Sequence, residues 1–252
     1  MLHSYNDLKH YAIRAVDGRK GGVDDFYFDD TSWTLRYLVA HTGFLLSGRQ
    51  CLIGADLLDR PDPERLEFPV ATTTEEIDDA PAPDSDAPVS AQRASRTEQL
   101  RGTEWPSLLV GIPGSVYSPL LAGEQLRHES VARTDGGDAG DPHLRSMAEI
   151  AGYRVEAHDG EVGTVNDFLI DPEGWALPYF VVDTGTWLPG RQVVLAKGSV
   201  TAINAEARTI SVAMGKDEIE AAPPLGSLED LVRSPAQEAI ARYGAIGYWP
   251  MG

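Results

Sequence analysis

The sequence predicts a mainly β protein: two small β-barrels in tandem, each with a short helical C-terminal extension. Three observations predict it. The chain matches itself at one fixed offset, each copy alternates short apolar runs with turn residues, and the third run of each copy is apolar on both faces.

Setting Asp17-Gly18 against Asp159-Gly160 gives an offset of 159 − 17 = 142 residues. At that offset, without a gap, Tyr11 meets Tyr153, Gly21 meets Gly163, and Val23, Asp25, Phe26 and Asp29 meet Val165, Asp167, Phe168 and Asp171. Trp33, Leu35, Tyr37, Val39, Thr42 and Gly43 then meet Trp175, Leu177, Tyr179, Val181, Thr184 and Gly185. Leu46 matches Leu188, Gly48-Arg49-Gln50 matches Gly190-Arg191-Gln192, and the register continues to Pro81 and Pro223. Identities in this density are a duplication.

Within the first copy, Tyr11 to Ala15 reads as a strand and Asp17-Gly18 as a hairpin dipeptide, because both residue types tolerate positive φ. Val23 to Asp29 is a second strand, Asp30 to Trp33 a turn, and Leu35 to Thr42 a third strand. Gln50 to Ile53 and Leu66 to Val70 supply a fourth and a fifth. Short strands at this spacing, with almost no helix between them, predict a small closed or nearly closed barrel. The third strand places Leu35, Tyr37 and Val39 on one face and Leu38 and Ala40 on the other, so it needs cover on both.

After each barrel, Thr74 to Ile77 and Gly215 to Ile219 start a helical turn with acids suited to a helix N-terminus. Ala91 to Leu100 and Ala236 to Tyr243 read as helices leading to Trp105-Pro106 and Trp249-Pro250. The acidic, Pro-rich run from Ile77 to Val89 reads as mobile. The expected organisation is a first barrel over 1–72, an extension over 73–133, a linker over 134–146, a second barrel over 147–214 and an extension over 215–252.

The net charge of −18 bears on partners. Residues 1–58 hold 6 basic and 7 acidic residues, 59–150 hold 8 and 18, and 151–252 hold 7 and 14. Such a surface repels phosphate backbones and anionic membranes, so no nucleic-acid partner is expected. A single cysteine, Cys51, fits a reducing compartment. Residues 1–7 carry neither a basic nor an apolar run, which predicts no secretory signal. Leu108 to Leu121 is too short and too interrupted by Gly and Pro for a membrane helix. A cytoplasmic location, with no integral membrane segment, is the expectation.

The ordered runs Val23 to Asp30 with Trp33, Arg36-Tyr37-Leu38-Val39, Thr42-Gly43 and Gly48-Arg49 resemble the PRC-barrel pattern. So do Gly163 to Asp171, Tyr179 to Gly185 and Trp187 to Arg191. The resemblance covers roughly residues 5–70 and 147–212. It implies a compact six-stranded barrel that serves other proteins as an assembly module. The family includes the cytoplasmic domain of the photosynthetic reaction-centre H subunit and the C-terminal domain of the ribosome maturation factor for the small subunit. The membrane helix of the one and the partner domain of the other have no counterpart among the residues here.

No set of residues carries recognisable chemistry: there is no nucleophile elbow, phosphate loop or zincin pair. The expectation is therefore no enzyme, no cofactor and no metal. Arg49 and Arg191, each with Asp29 or Asp171 in its own copy, form either an anion site or an ion pair fixing a hairpin. Asp29, Trp33, Tyr37, Gly43, Arg49, Asp171, Trp175, Tyr179, Gly185 and Arg191, kept in both copies, are read as structural. Leu45, Leu46, Trp187 and Leu188, between the third and fourth strands, either pack on the barrel end or form a contact patch. The functional expectation is a non-enzymatic module that binds a protein partner or itself, as a homodimer. Two alternatives stand beside it: a photosynthetic or ribosome-maturation role implied by the resemblance, and small-ligand or metal binding between the barrels.

Overall fold

The computed structural model describes residues 2–43, 48–89, 91 and 141–221. The first half comprises β1 (His3–Ser4), α1 (Tyr5–Leu8), β2 (Ala12–Ala15), β3 (Gly18–Asp29), β4 (Thr34–Thr42), β5 (Arg49–Gly54), β6 (Glu67–Pro69) and α2 (Thr74–Asp79). The second repeats this as β7 (Leu144–Ser146), α3 (Met147–Ile150), β8 (Arg154–Ala157), β9 (Gly160–Asp171), β10 (Ala176–Asp183), β11 (Gln192–Ala196), β12 (Val200–Asn204), β13 (Thr209–Val212) and α4 (Lys216–Ala221).

The thirteen strands of the described residues belong to one mixed sheet, ordered β12-β13-β8-β9-β10-β4-β3-β2-β6, with β1 on β9, β11 on β10, β5 on β4 and β7 on β3. The β2–β6 and β8–β13 ladders are parallel, and the others are antiparallel. Two separate closed barrels are not seen. A 3-10 turn, Ala55–Leu57 or Lys197–Ser199, follows β5 or β11 in each half, and among the described residues no ladder pairs β5 with β6 or β11 with β12. Between β4 and β10 the halves meet at one pair, Thr34 with Ala176, flanked by reciprocal bonds from Leu35 N–H to Trp175 C=O and from Leu177 N–H to Trp33 C=O, each 2.8 Å.

Trp33 and Trp175 adopt positive φ, 56° and 53°, which strains a residue with a Cβ. Contacts across the junction hold them there. Trp33 stacks on Phe180 at 6.1 Å, and Trp175 on Phe68 at 5.6 Å. Gly21 and Gly163 have a different necessity: a Cβ at either would lie about 2 Å from the carbonyl oxygen of His41 or Asp183.

The halves share one core. A single cluster contains Phe26, Phe28, Trp33 and Leu38 together with Phe168, Leu177, Phe180 and Val182. The second face of the sheet is also covered, as the two-faced third strand requires. Leu144 joins Tyr27, Val39 and Leu52, while Leu2 joins Leu169, Tyr179, Val181 and Val194. Both covers come from the opposite half.

The run from Ile77 to Val89, expected to be mobile, is packed. Ile77 and Val89 are buried, Pro81 accepts the Leu52 N–H, and Pro83–Asp86 form a 3-10 turn. Arg49 donates to the carbonyls of Asp78 and Ala80 at the end of α2, where the helix leaves carbonyls unpaired. The helices expected over 91–100 and 236–243, and both Trp-Pro pairs, lie outside the described residues. Among the described residues, no helix is long and apolar enough to cross a membrane.

Candidate functional site

The polar centres of the molecule are two matched sites where an arm of one half enters the other. Ser4-Tyr5-Asn6-Asp7 and Ser146-Met147-Ala148-Glu149 have a capping-box pattern, a Ser followed three residues on by an acid. Each Ser hydroxyl accepts the N–H of that acid, at 3.2 Å for Asp7 and 3.1 Å for Glu149, which starts a one-turn helix. The hydroxyl's proton then goes to the other half. Ser4 donates to Asp167 at 2.6 Å, and Ser146 donates to Asp25 at 2.5 Å.

The same carboxylates receive a helix N–H from the arriving arm and one from their own strand. Asp167 accepts from Asn6 at 3.0 Å and Phe168 at 2.8 Å, and Asp25 accepts from Ala148 at 2.9 Å and Phe26 at 2.7 Å. Short ladders align each arm: His3 and Ser4 pair with Ile170 and Leu169, and Leu144 to Ser146 pair with Asp29 to Tyr27. Adding 142 to the number of a residue in one site gives its counterpart in the other. The exchange is reciprocal.

Burial dominates the electrostatics. It pushes the Asp25 carboxyl up to about 6 although three donors favour the charged form, and it raises Asp167 as well. Tyr5 lies between Phe26 and Phe168 in edge-on contacts of 6.2 and 6.4 Å, and burial beside Asp25 raises its hydroxyl. A carboxyl that holds a proton near neutrality is often a catalytic acid. Here its oxygens are occupied by structural donors.

At one end of the junction a cavity of about 270 Å³ is lined by Asp30, Thr31, Trp33, His143, Arg145 and Thr201, among others. Asp30 accepts from Arg145 Nε at 2.6 Å and lies 2.9 Å from His143 Nδ1. At the equivalent place in the other half, Glu173 and Arg60 stand in for Thr31 and Ala202 and form a 2.7 Å ion pair. Among the described residues, no group of three or more His, Cys, Asp or Glu could hold a metal ion.

Asp29 does not pair with Arg49. It accepts the N–H groups of Thr31 and Ser32 at 2.9 and 2.8 Å and faces Arg36 at 3.6 Å, so it caps its own turn. Asp171 accepts the Glu173 N–H at 3.1 Å in the same manner. The carbonyls of Arg49 and Arg191 accept the hydroxyls of Thr42 and Thr184, at 3.1 and 2.7 Å, tying the two ends of each third-to-fourth-strand segment. Gly43 and Gly185 turn out of those strands at φ 118° and 53°. Tyr37 is half-buried, with its hydroxyl raised by Asp86 of the packed extension, whereas Tyr179 is buried. Trp187 packs half-buried against the shared core with the Lys216 ammonium 5.8 Å from its ring centre, and Leu188 is half-buried. Leu45 and Leu46 lie outside the described residues.

Ser4 and Ser146 are not among the residues the sequence singles out, and the signal that marks them is a capping-box spacing repeated in the 142-residue register. No protein-family model matches the chain, and no curated protein matches it either.

Proposed function

We propose that this protein is a non-enzymatic assembly module of the cytoplasm, built from two PRC-type barrel units and binding a protein partner. The observation that carries the reading is the reciprocal exchange of arms. Positions kept in both copies build a rigid two-fold platform. The strand order β5-β4-β3-β2-β6, with its ends joined by a 3-10 turn, supports an open barrel of PRC type in each half. The acidic surface favours a partner with a basic or neutral face.

Affinity capture with the full chain, beside a Leu45→Ser/Trp187→Ser variant, tests this reading. A defined protein retained by the parent and lost by the variant is the expected result, while an inert chain in both would overturn it. The photosynthetic and ribosome-maturation settings implied by the family resemblance predict co-fractionation with membranes or with small-subunit particles.

A second reading, small-ligand binding, is favoured by the junction cavity, where an arginine oriented by Asp30 meets His143 and Thr201. A thermal-shift panel of small carboxylates and phosphates should then raise the melting temperature, and Arg145→Met should abolish the rise. No response from any compound removes this reading.

A further inference from the structure

We propose that the arm-docking surface of each half is a self-recognition site, and that a second copy of this chain can fill it, giving a dimer in which the halves pair between molecules. This surface goes beyond the partner binding proposed above.

Neither half is complete without the other. Without Ser146 and Ala148, Asp25 would lose two of its three donors, and the face formed by Tyr27, Val39 and Leu52 would lose Leu144. Without Ser4 and Asn6, Asp167 is in the same position, and Leu169, Tyr179 and Val181 lose Leu2. A buried acceptor or donor left unpaired costs on the order of 1–3 kcal/mol. Each half therefore needs an arm, and in neither case does its own arm supply the contacts.

Geometry then identifies the occupant. Residue i of one half meets residue j of the other, and the counterpart of j meets the counterpart of i, which is the isologous pattern of a two-fold dimer. The Trp33 and Trp175 carbonyls obey it, as do the Ser–Asp pairs. None of these contacts depends on which molecule the opposite half belongs to. Connection within one chain supplies an effective concentration on the order of millimolar. Exchange between chains should therefore become visible when refolding takes place near that concentration. A net charge of −18 per chain opposes the encounter, and salt screens it over roughly 8–10 Å.

The experiment uses two full chains, each with a protease site placed between residues 92 and 140. One is isotopically heavy with an N-terminal affinity tag, and the other is light and untagged. They are unfolded together, refolded at roughly millimolar and at micromolar concentration in 0.15 M salt, and separated by size. The expected result is a dimer fraction at least tenfold larger at the higher concentration. Cleavage of that dimer should leave the heavy tagged first half holding light second halves, and mass spectrometry reads the ratio. Absence of a dimer at both concentrations overturns the proposal. So does a dimer whose tagged half, after cleavage, retains only heavy second halves, since its chains would be joined by another surface. Failure of either kind leaves partner capture by the intact chain unaffected.

Discussion

At the Asp25 site the opposite arm brings a hydroxyl to 2.5 Å and a helix N–H to 2.9 Å; at the Asp167 site the same groups stand at 2.6 and 3.0 Å. A few residues away the two halves part company. One end of the junction carries the Arg60–Glu173 ion pair and the other carries a cavity beside Asp30, His143 and Arg145. The duplicated chain has kept what joins the halves and let vary what lies at the rim. Buried donors and acceptors without partners are costly, whereas an exposed ion pair contributes little, so only the former resist change.

The largest expected effect comes from the shared core. Phe168 touches both Tyr5 and Phe28 of the first half, so Phe168→Ala should cost about 3–5 kcal/mol. In chemical denaturation it should lower the midpoint of both halves. If only signals from 141–221 move, the halves are not one unit.

Next in size are the docking carboxylates. Asp25→Ala and Asp167→Ala should each cost on the order of 2–3 kcal/mol, because each leaves buried N–H and O–H groups unpaired. In a double-mutant cycle, Asp25→Ala with Ser146→Ala should couple by about 1 kcal/mol or more. Asp25→Ala with Ser4→Ala, which belongs to the other site, should be close to additive.

The pH dependence sharpens the contrast further. The folded Asp25 carboxyl, at about 6, takes up its proton at a higher pH than the unfolded one. Between about 6 and 4 the folded state therefore binds more protons, and this group's contribution to stability rises as pH falls. Below that window both states are protonated and the contribution is constant. Urea midpoints at pH 7 and pH 5 should show a larger acid gain for the parent than for Asp25→Asn. Equal gains would mean that the carboxyl is ionised throughout.

The smallest effect belongs to the rim. Both partners of the Arg60–Glu173 pair are about two-thirds exposed, so Arg60→Ala should change stability by less than about 1 kcal/mol.

Much of the first-order structure was legible. Asp17-Gly18 marks the β2–β3 hairpin, Leu35 to Thr42 marks β4, and the acids after Thr73 mark α2. The 142-residue register predicts two alike units, and alike units were found. Sequence could not say that they share one core, because periodicity reports which residues are apolar and not which neighbour covers them. Leu144 falls in the run expected to be a linker and Leu2 ahead of the first strand, yet each closes the far face of the other half. The Ile77 to Val89 run misled through its composition. Acids and prolines suggest mobility, but two apolar anchors and Arg49 hold the segment down. Arg49 misled in a different way, since an arginine can satisfy a carboxylate or the carbonyls of a helix end, and residue type alone does not choose.

The central claim is that two halves joined by exchanged arms fold as one cooperative unit. Residue-resolved NMR during urea unfolding tests it most directly, using the amides of Val39 in β4 and Val181 in β10, both buried. A common midpoint for the two, displaced equally in both by Asp25→Ala, is the predicted result. Two separate midpoints, or a shift confined to Val39, would contradict it.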